Sequence, residues 1–95
     1  MTENKLLDVE IITPEKVVFK DKAVSVTVPG TKSSFQILFN HAPIVSTLTS
    51  GWIKLVDQKN KQQLFKTAKG FTEVSKNKVS ILVESAEEQN LSALN

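Results

Sequence analysis

The sequence contains no cysteine, no tyrosine and no arginine, and it holds a single histidine, a single tryptophan and a single methionine. The absence of cysteine removes thiol nucleophiles, thiolate metal sites and structural disulfides. All 12 basic residues are lysines, so bidentate phosphate clamps and arginine fingers are excluded as well. No Gly-x-Ser-x-Gly elbow, no phosphate-binding glycine loop with Lys-Ser/Thr and no His-Glu-x-x-His helix occurs. No apolar run reaches the roughly 18 to 20 residues of a membrane-spanning helix. The amino terminus, Met1-Thr2-Glu3-Asn4-Lys5, is polar and unlike a secretory leader, which places the expected environment in or facing the cytosol.

What remains is the inventory of one small globular domain. Ninety-five residues, 40% hydrophobic and 23% charged, close one core and leave no room for a second full domain. The formal net charge is +2, unevenly spread: lysines crowd Lys54 to Lys78, and Glu84, Glu87 and Glu88 lie near the end. A nucleic-acid surface built on that lysine cluster needs stacking aromatics, and only Phe65 and Phe71 are available. The lysines are better explained as keeping hairpins soluble and strand edges blunt. A small β-module that binds oligonucleotide or oligosaccharide is the alternative reading.

Period-two alternation dominates the pattern. Leu7, Val9 and Ile11 alternate with Asp8 and Glu10, and Thr13-Pro14 ends that strand. Val17-Val18-Phe19 follows, then Lys20-Asp21-Lys22 as a polar turn. Val24, Val26 and Val28 alternate with Ser25 and Thr27 up to the turn pair Pro29-Gly30. Phe35 and Ile37 resume the alternation, and Asn40-His41-Ala42-Pro43 forms a rigid corner. Ile44 to Leu48, Trp52 to Val56, Gln62 to Thr67, Phe71 to Val74 and Val79 to Val83 complete the series. Asp57 to Lys61 and Lys76-Asn77-Lys78 read as hairpin loops. Seven to ten short strands at such spacing predict an all-β sandwich or barrel. Only Ser85-Ala86-Glu87-Glu88 changes period; its capping-box pattern predicts a helix over 85–95, with Leu91 and Leu94 as its apolar stripe. The domain is expected over 1–84, with 85–95 a short helix or tail.

No constellation for chemistry emerges. His41 is the sole imidazole, yet no nucleophile or paired carboxylate accompanies it in sequence, and the expectation is a structural or contact role. The acids are explained locally: Asp8 and Glu10 by the polar face of a strand, Glu87 and Glu88 by a cap. One histidine and scattered acids give no metal-ligand spacing. Gly30, Gly51 and Gly70 each punctuate a strand, and Trp52 reads as core or interface. We expect no catalytic residue, no metal and no cofactor.

Several stretches, taken in order, resemble one family. They are Thr13-Pro14-Glu15 with Phe19, Val28-Pro29-Gly30, Phe35-Gln36-Ile37-Leu38, Asn40-His41-Ala42-Pro43, Leu48 and Gly51. Gly70-Phe71-Thr72-Glu73-Val74, Asn77, Val79 and Ile81-Leu82 complete the set. From about Leu6 to Glu88 the chain resembles the amino-terminal β-sandwich domain of the epsilon subunit of F-type ATP synthases. The resemblance implies a flattened ten-stranded sandwich, non-catalytic, at the foot of the rotor, binding the gamma subunit and the polar loops of the membrane c-ring. It implies a monomer in isolation and one copy per complex, coupling proton-driven rotation to ATP synthesis. It also implies a peripheral location on the cytoplasmic face of the bacterial inner membrane, with membrane contact only through the complex and no nucleic-acid partner.

By the same resemblance, Gly30, Thr31, Lys32, Ser33, Ser34 and Phe35 are the expected c-ring-facing loop, and His41, Ala42 and Pro43 the expected gamma-facing residues. Ser33 and Gln36 stand where the family often has glycine, Ser34 where an acid is frequent and Phe39 where proline is common. A hydroxyl in place of a carboxylate removes an ion pair that a basic ring loop could make. Many family members continue into an inhibitory helical hairpin. A chain of this length therefore resembles a short form that couples without helix-extension inhibition, or else a piece of a longer protein.

Overall fold

The computed structural model describes residues 5–89, and all regular structure among them is β. Ten strands form: β1 (Leu7–Ile12), β2 (Val17–Ala23), β3 (Ser25–Val28), β4 (Phe35–Leu38), β5 (Ile44–Leu48), β6 (Gly51–Val56), β7 (Gln62–Thr67), β8 (Gly70–Ser75), β9 (Lys78–Val83) and β10 (Ala86–Gln89). They build two five-stranded sheets, one ordered β2-β1-β9-β8-β5 and the other β10-β7-β6-β3-β4. Every pairing is antiparallel except β1 with β9, which runs parallel and sets Val9 beside Val79 and Ile11 beside Ile81.

The alternation in the sequence becomes the core. Leu7, Val9 and Ile11 of β1 and Val79, Ile81 and Val83 of β9 face Val26, Val28, Ile53, Leu55 and Phe65 from the other sheet, all buried. Sheets that pack face to face sit about 10 Å apart, a gap that such interdigitating side chains fill. Buried hydroxyls are paired: Thr72 Oγ1 donates to the Ser80 carbonyl (3.1 Å) and Thr67 Oγ1 to the Gly51 carbonyl (3.4 Å). On one side the sandwich is shut by the edge-to-face contact of Phe19 with Phe65, at 5.6 Å between centroids. On the other, Gly30 bridges to Leu48, with Thr31 N–H donating to the Thr47 carbonyl and Thr49 N–H to that of Pro29.

Two local expectations are corrected. Lys20-Asp21-Lys22 is not a turn; it continues β2, where Lys20 lies opposite Glu10 and Lys22 opposite Asp8. Lys22 Nζ reaches Asp8 Oδ1 at 2.6 Å. Charge suits an exposed edge strand, so a polar triplet there does not end it. The chain instead passes from one sheet to the other at Val24, whose amide donates to the Val56 carbonyl (2.7 Å). The helix expected from Ser85 is also absent at its start. Ala86 to Gln89 are strand β10 along β7, with Glu87 opposite Lys66 and Ala86 half-buried against the core. The open edge of β7 offers these residues backbone partners, and tertiary pairing overrides the local capping pattern. Leu91 and Leu94 lie outside the described residues, as do Met1 to Asn4.

None of the three glycines has a positive φ; the left-handed positions are Asn40, Asn60, Lys76 and Asn77. Gly70 is required for a different reason. A Cβ there would lie 2.7 Å from Val83 Cα and closer still to the Leu82 carbonyl oxygen, both backbone atoms of the adjacent strand. Gly70→Ala is therefore expected to force β8 and β9 apart and cost about 1 to 3 kcal/mol, the scale of overpacking. A urea midpoint equal to that of the parent chain would show that the strands can move aside freely.

Candidate functional site

Strand directions sort the loops to two ends. At the first end lie the β1–β2, β3–β4, β5–β6, β7–β8 and β9–β10 connections, and at the second the β2–β3, β4–β5, β6–β7 and β8–β9 connections. The six-residue candidate Gly30 to Phe35 belongs to the first end. Gly30 is buried there, Thr31, Lys32, Ser33 and Ser34 are exposed, and Phe35 is half-buried at the start of β4. Thr31 Oγ1 shares a 2.8 Å hydrogen bond with Thr47 Oγ1, which ties the root of this loop to β5. Its exposed crest carries one cation, Lys32, and no carboxylate.

His41, Ala42 and Pro43 lie at the second end, in the corner that joins β4 of one sheet to β5 of the other. The His41 amide donates to the Leu38 carbonyl (3.0 Å) and reverses the chain. His41 Nδ1 lies 2.7 Å from the Ala42 carbonyl, a contact that requires the proton on Nδ1. The imidazole is thus held by its own neighbour, and among the described residues no hydroxyl or carboxylate hydrogen-bonds to it. The reversal also brings its ring to 6.5 Å from that of Phe35. The last residue of one candidate surface therefore meets the first of the other along the β4 edge.

Two features near these residues escaped the sequence reading. No Asp, Glu, Lys or Arg occurs between Lys32 and Lys54, so the side of the sandwich made by β4, the corner and β5 is uncharged. That gap was a readable signal. The second feature needed the register: Ile12, Leu82, Phe71 and Thr47 are successive neighbours across one sheet, on its outward face. With Val45 (68% exposed) and Phe71 (42% exposed) they line an open groove of about 720 Å³ whose rim includes Lys69 and Glu84. Contiguous apolar surface of this kind is a candidate contact surface.

The lysines of 54–78 do not form one patch. Lys54 and Lys66 lie on the outer face of one sheet, Lys59, Lys61 and Lys76 in second-end turns, Lys69 at the first end and Lys78 on the other sheet. Among the described residues no group of three or more His, Asp or Glu side chains could hold a metal.

The second end is stiffened by Asp57. Its Oδ1 accepts from the amides of Lys61 and Lys59, each at 2.9 Å, and Oδ2 from Gln63 Nε2 at 3.5 Å. The Lys61 amide above all, with Lys59 and Gln63, holds this carboxyl below its ordinary 3.8, against a smaller opposing effect of desolvation. A folded pKa below the unfolded one means that the stabilisation is complete above the unfolded value and is lost as pH falls through the folded one. Thermal melts should therefore show the parent chain weakening below about pH 4, and Asp57→Ala weaker at neutral pH with a shallower acid decline. Parallel curves would remove Asp57 as a source of the acid sensitivity.

The family model described as the β-sandwich domain of the ATP synthase delta/epsilon chain matches residues 6–89. The ATP synthase epsilon chain of Desulfosudis oleivorans is 40% identical over 87 residues, covering 92% of this chain and 64% of the relative. That of Chlorobaculum tepidum is 37% identical over 83 residues, covering 87% and 94%. The chain thus spans under two thirds of the first relative's length and nearly all of the second's. Among solved structures, a chain of the Euglena gracilis mitochondrial ATP synthase, in a cryo-EM structure of OSCP/F1/c-ring, superposes with a TM-score of 0.85 at 14% identity, over 99% of this chain and 62% of that one. One from the central stalk and c-ring of the Tetrahymena thermophila enzyme gives 0.72 at 20%, over 90% and 69%. At such identities these two structures speak for the sandwich fold.

Proposed function

The chain belongs to the β-sandwich family of ATP synthase delta/epsilon chains, and on that premise we propose that it is a non-catalytic central-stalk component that couples proton-driven rotation to ATP synthesis. It binds the gamma subunit and the c-ring as a monomer, one copy per complex, and is peripheral on the cytoplasmic face of the membrane. The observation that carries this reading is the uncharged run between Lys32 and Lys54, which meets through Val45 and Thr47 the outward apolar row of half-buried Ile12 and Leu82 and exposed Phe71, with Glu73 opposite Val45 as its charged border. Such a surface suits a subunit held against a neighbour.

The roles divide between the Gly30 loop and the side formed by the corner and β5. Thr31, Lys32, Ser33 and Ser34, on a loop rooted by Gly30 and Phe35, face the c-ring, whose polar loops suit a crest of hydroxyls and one ammonium. His41, Ala42 and Pro43 face gamma, together with the apolar groove along β5. A rotor part must hold its two partners at a fixed angle, and a sandwich shut on both sides supplies that stiffness.

The test is to mix the chain with gamma and measure association. A complex is expected at micromolar concentration, weakened by about 1 to 2 kcal/mol in His41→Ala and by more in Val45→Glu or Phe71→Glu, where a charge enters an apolar contact. Alanine at Thr31 to Ser34 should leave gamma binding intact and lower ATP-driven proton pumping in the assembled enzyme. No complex with gamma would overturn the proposal.

A further inference from the structure

We infer that Asn77 is the positioning residue of the gamma-facing corner, holding Asn40 and through it His41, Ala42 and Pro43 in their docking orientation. The inference rests on the rotor reading for its partner and on geometry for the rest. The Asn40 amide donates to Asn77 Oδ1 at 2.6 Å, and Asn77 Nδ2 donates to Asn40 Oδ1 at 3.4 Å. These residues are 37 apart in sequence and belong to different connections. Within the corner itself the turn is closed by the bond from the His41 amide to the Leu38 carbonyl, which does not tie it to the rest of the sandwich. Asn40 sits at φ 65°, an uphill conformation for a residue with a Cβ, and its amide is exposed, so water could satisfy it equally well. What the bond adds is a fixed direction for the chain entering His41.

Asn77 is itself anchored. With Lys76 it forms the two-residue turn of the β8–β9 hairpin, at φ 52° and 64°, the positive pair that matches strand twist. Its carbonyl accepts from the Asp8 amide at the start of β1 (2.9 Å). One residue thus joins β1, the β8–β9 hairpin and the corner. Asparagine suits the position because it tolerates a left-handed backbone and carries both an acceptor and a donor at short reach. Aspartate would keep the acceptor facing the Asn40 amide; glycine would keep only the backbone.

Asn77→Gly, Asn77→Asp and Asn40→Gly, each in the full chain, separate positioning from general stability. With gamma as the probe, Asn77→Gly is expected to lose roughly 2- to 10-fold in affinity, the range of one hydrogen bond. Asn77→Asp and Asn40→Gly should stay close to the parent, because each keeps the bond from the Asn40 amide. Hydrogen exchange at the Asn40 and His41 amides should quicken in Asn77→Gly and not in Asn77→Asp. Parent-like affinity in Asn77→Gly, or an equal loss in Asn77→Asp, overturns the inference while leaving the rotor reading in place. Should the parent chain itself fail to bind gamma, the rotor reading falls, and unchanged exchange in Asn77→Gly would overturn the clamp independently.

Discussion

The parallel pairing of β1 with β9 is the constraint on which the rest of the fold depends. Most other neighbours in these sheets are within easy reach along the chain, joined by short turns such as Thr13 to Lys16 or Lys76-Asn77. β1 and β9 are not. Bringing Leu7–Ile12 beside Lys78–Val83 closes nearly the whole chain into a loop, and the loss of entropy must be offset by burial. Val9, Ile11, Val79 and Ile81 are that offset, four side chains at most 1% exposed at the centre of one sheet. Once they are in place, β2 and β8 can add on either side, and the second sheet has an apolar floor to cover.

From that centre, stiffness runs outward to the surfaces proposed to meet partners. β8 carries β5 on its far side, β5 takes the bridge from Gly30, and the loop beyond Gly30 is thereby referenced to the core through backbone hydrogen bonds. The corner at His41 is referenced through Asn77 to the same β8–β9 hairpin. Neither surface depends on a long flexible side chain for its placement. This explains how a chain without arginine or cysteine can present defined contacts: backbone geometry and short amides do the positioning that guanidinium forks or disulfides do elsewhere.

The fold was legible in the sequence wherever one face of a strand is buried and the other is wet, as in Leu7-Asp8-Val9-Glu10-Ile11 or Val26-Thr27-Val28. It was not legible where burial does not alternate. Lys20-Asp21-Lys22 reads as a loop because an edge strand's outward residues and its exposed rim are both polar, and only pairing with Glu10 and Asp8 reveals the strand. Ala86-Glu87-Glu88-Gln89 reads as a helix start because nothing local announces the open edge of β7. The candidate surfaces show the same division. The Pro29-Gly30 loop and the His41 corner were visible as turn chemistry. The groove at Phe71 was not, since its members come from β1, β5, β8 and β9 and meet only across the register.

The two ends of the sandwich are linked along β5, which starts beside the corner and finishes beneath the Gly30 bridge. Its pairing to β8 runs from Ile44 opposite Val74 to Leu48 opposite Gly70. Hydrogen bonds between antiparallel strands lie perpendicular to the strand axes. A pull between the two ends therefore acts lengthwise on this ladder and strains its rungs together in shear, whereas a peeling force would open them one after another. In mechanical terms β5 is a tension member glued along its length, and a load must break the whole seam to break any of it.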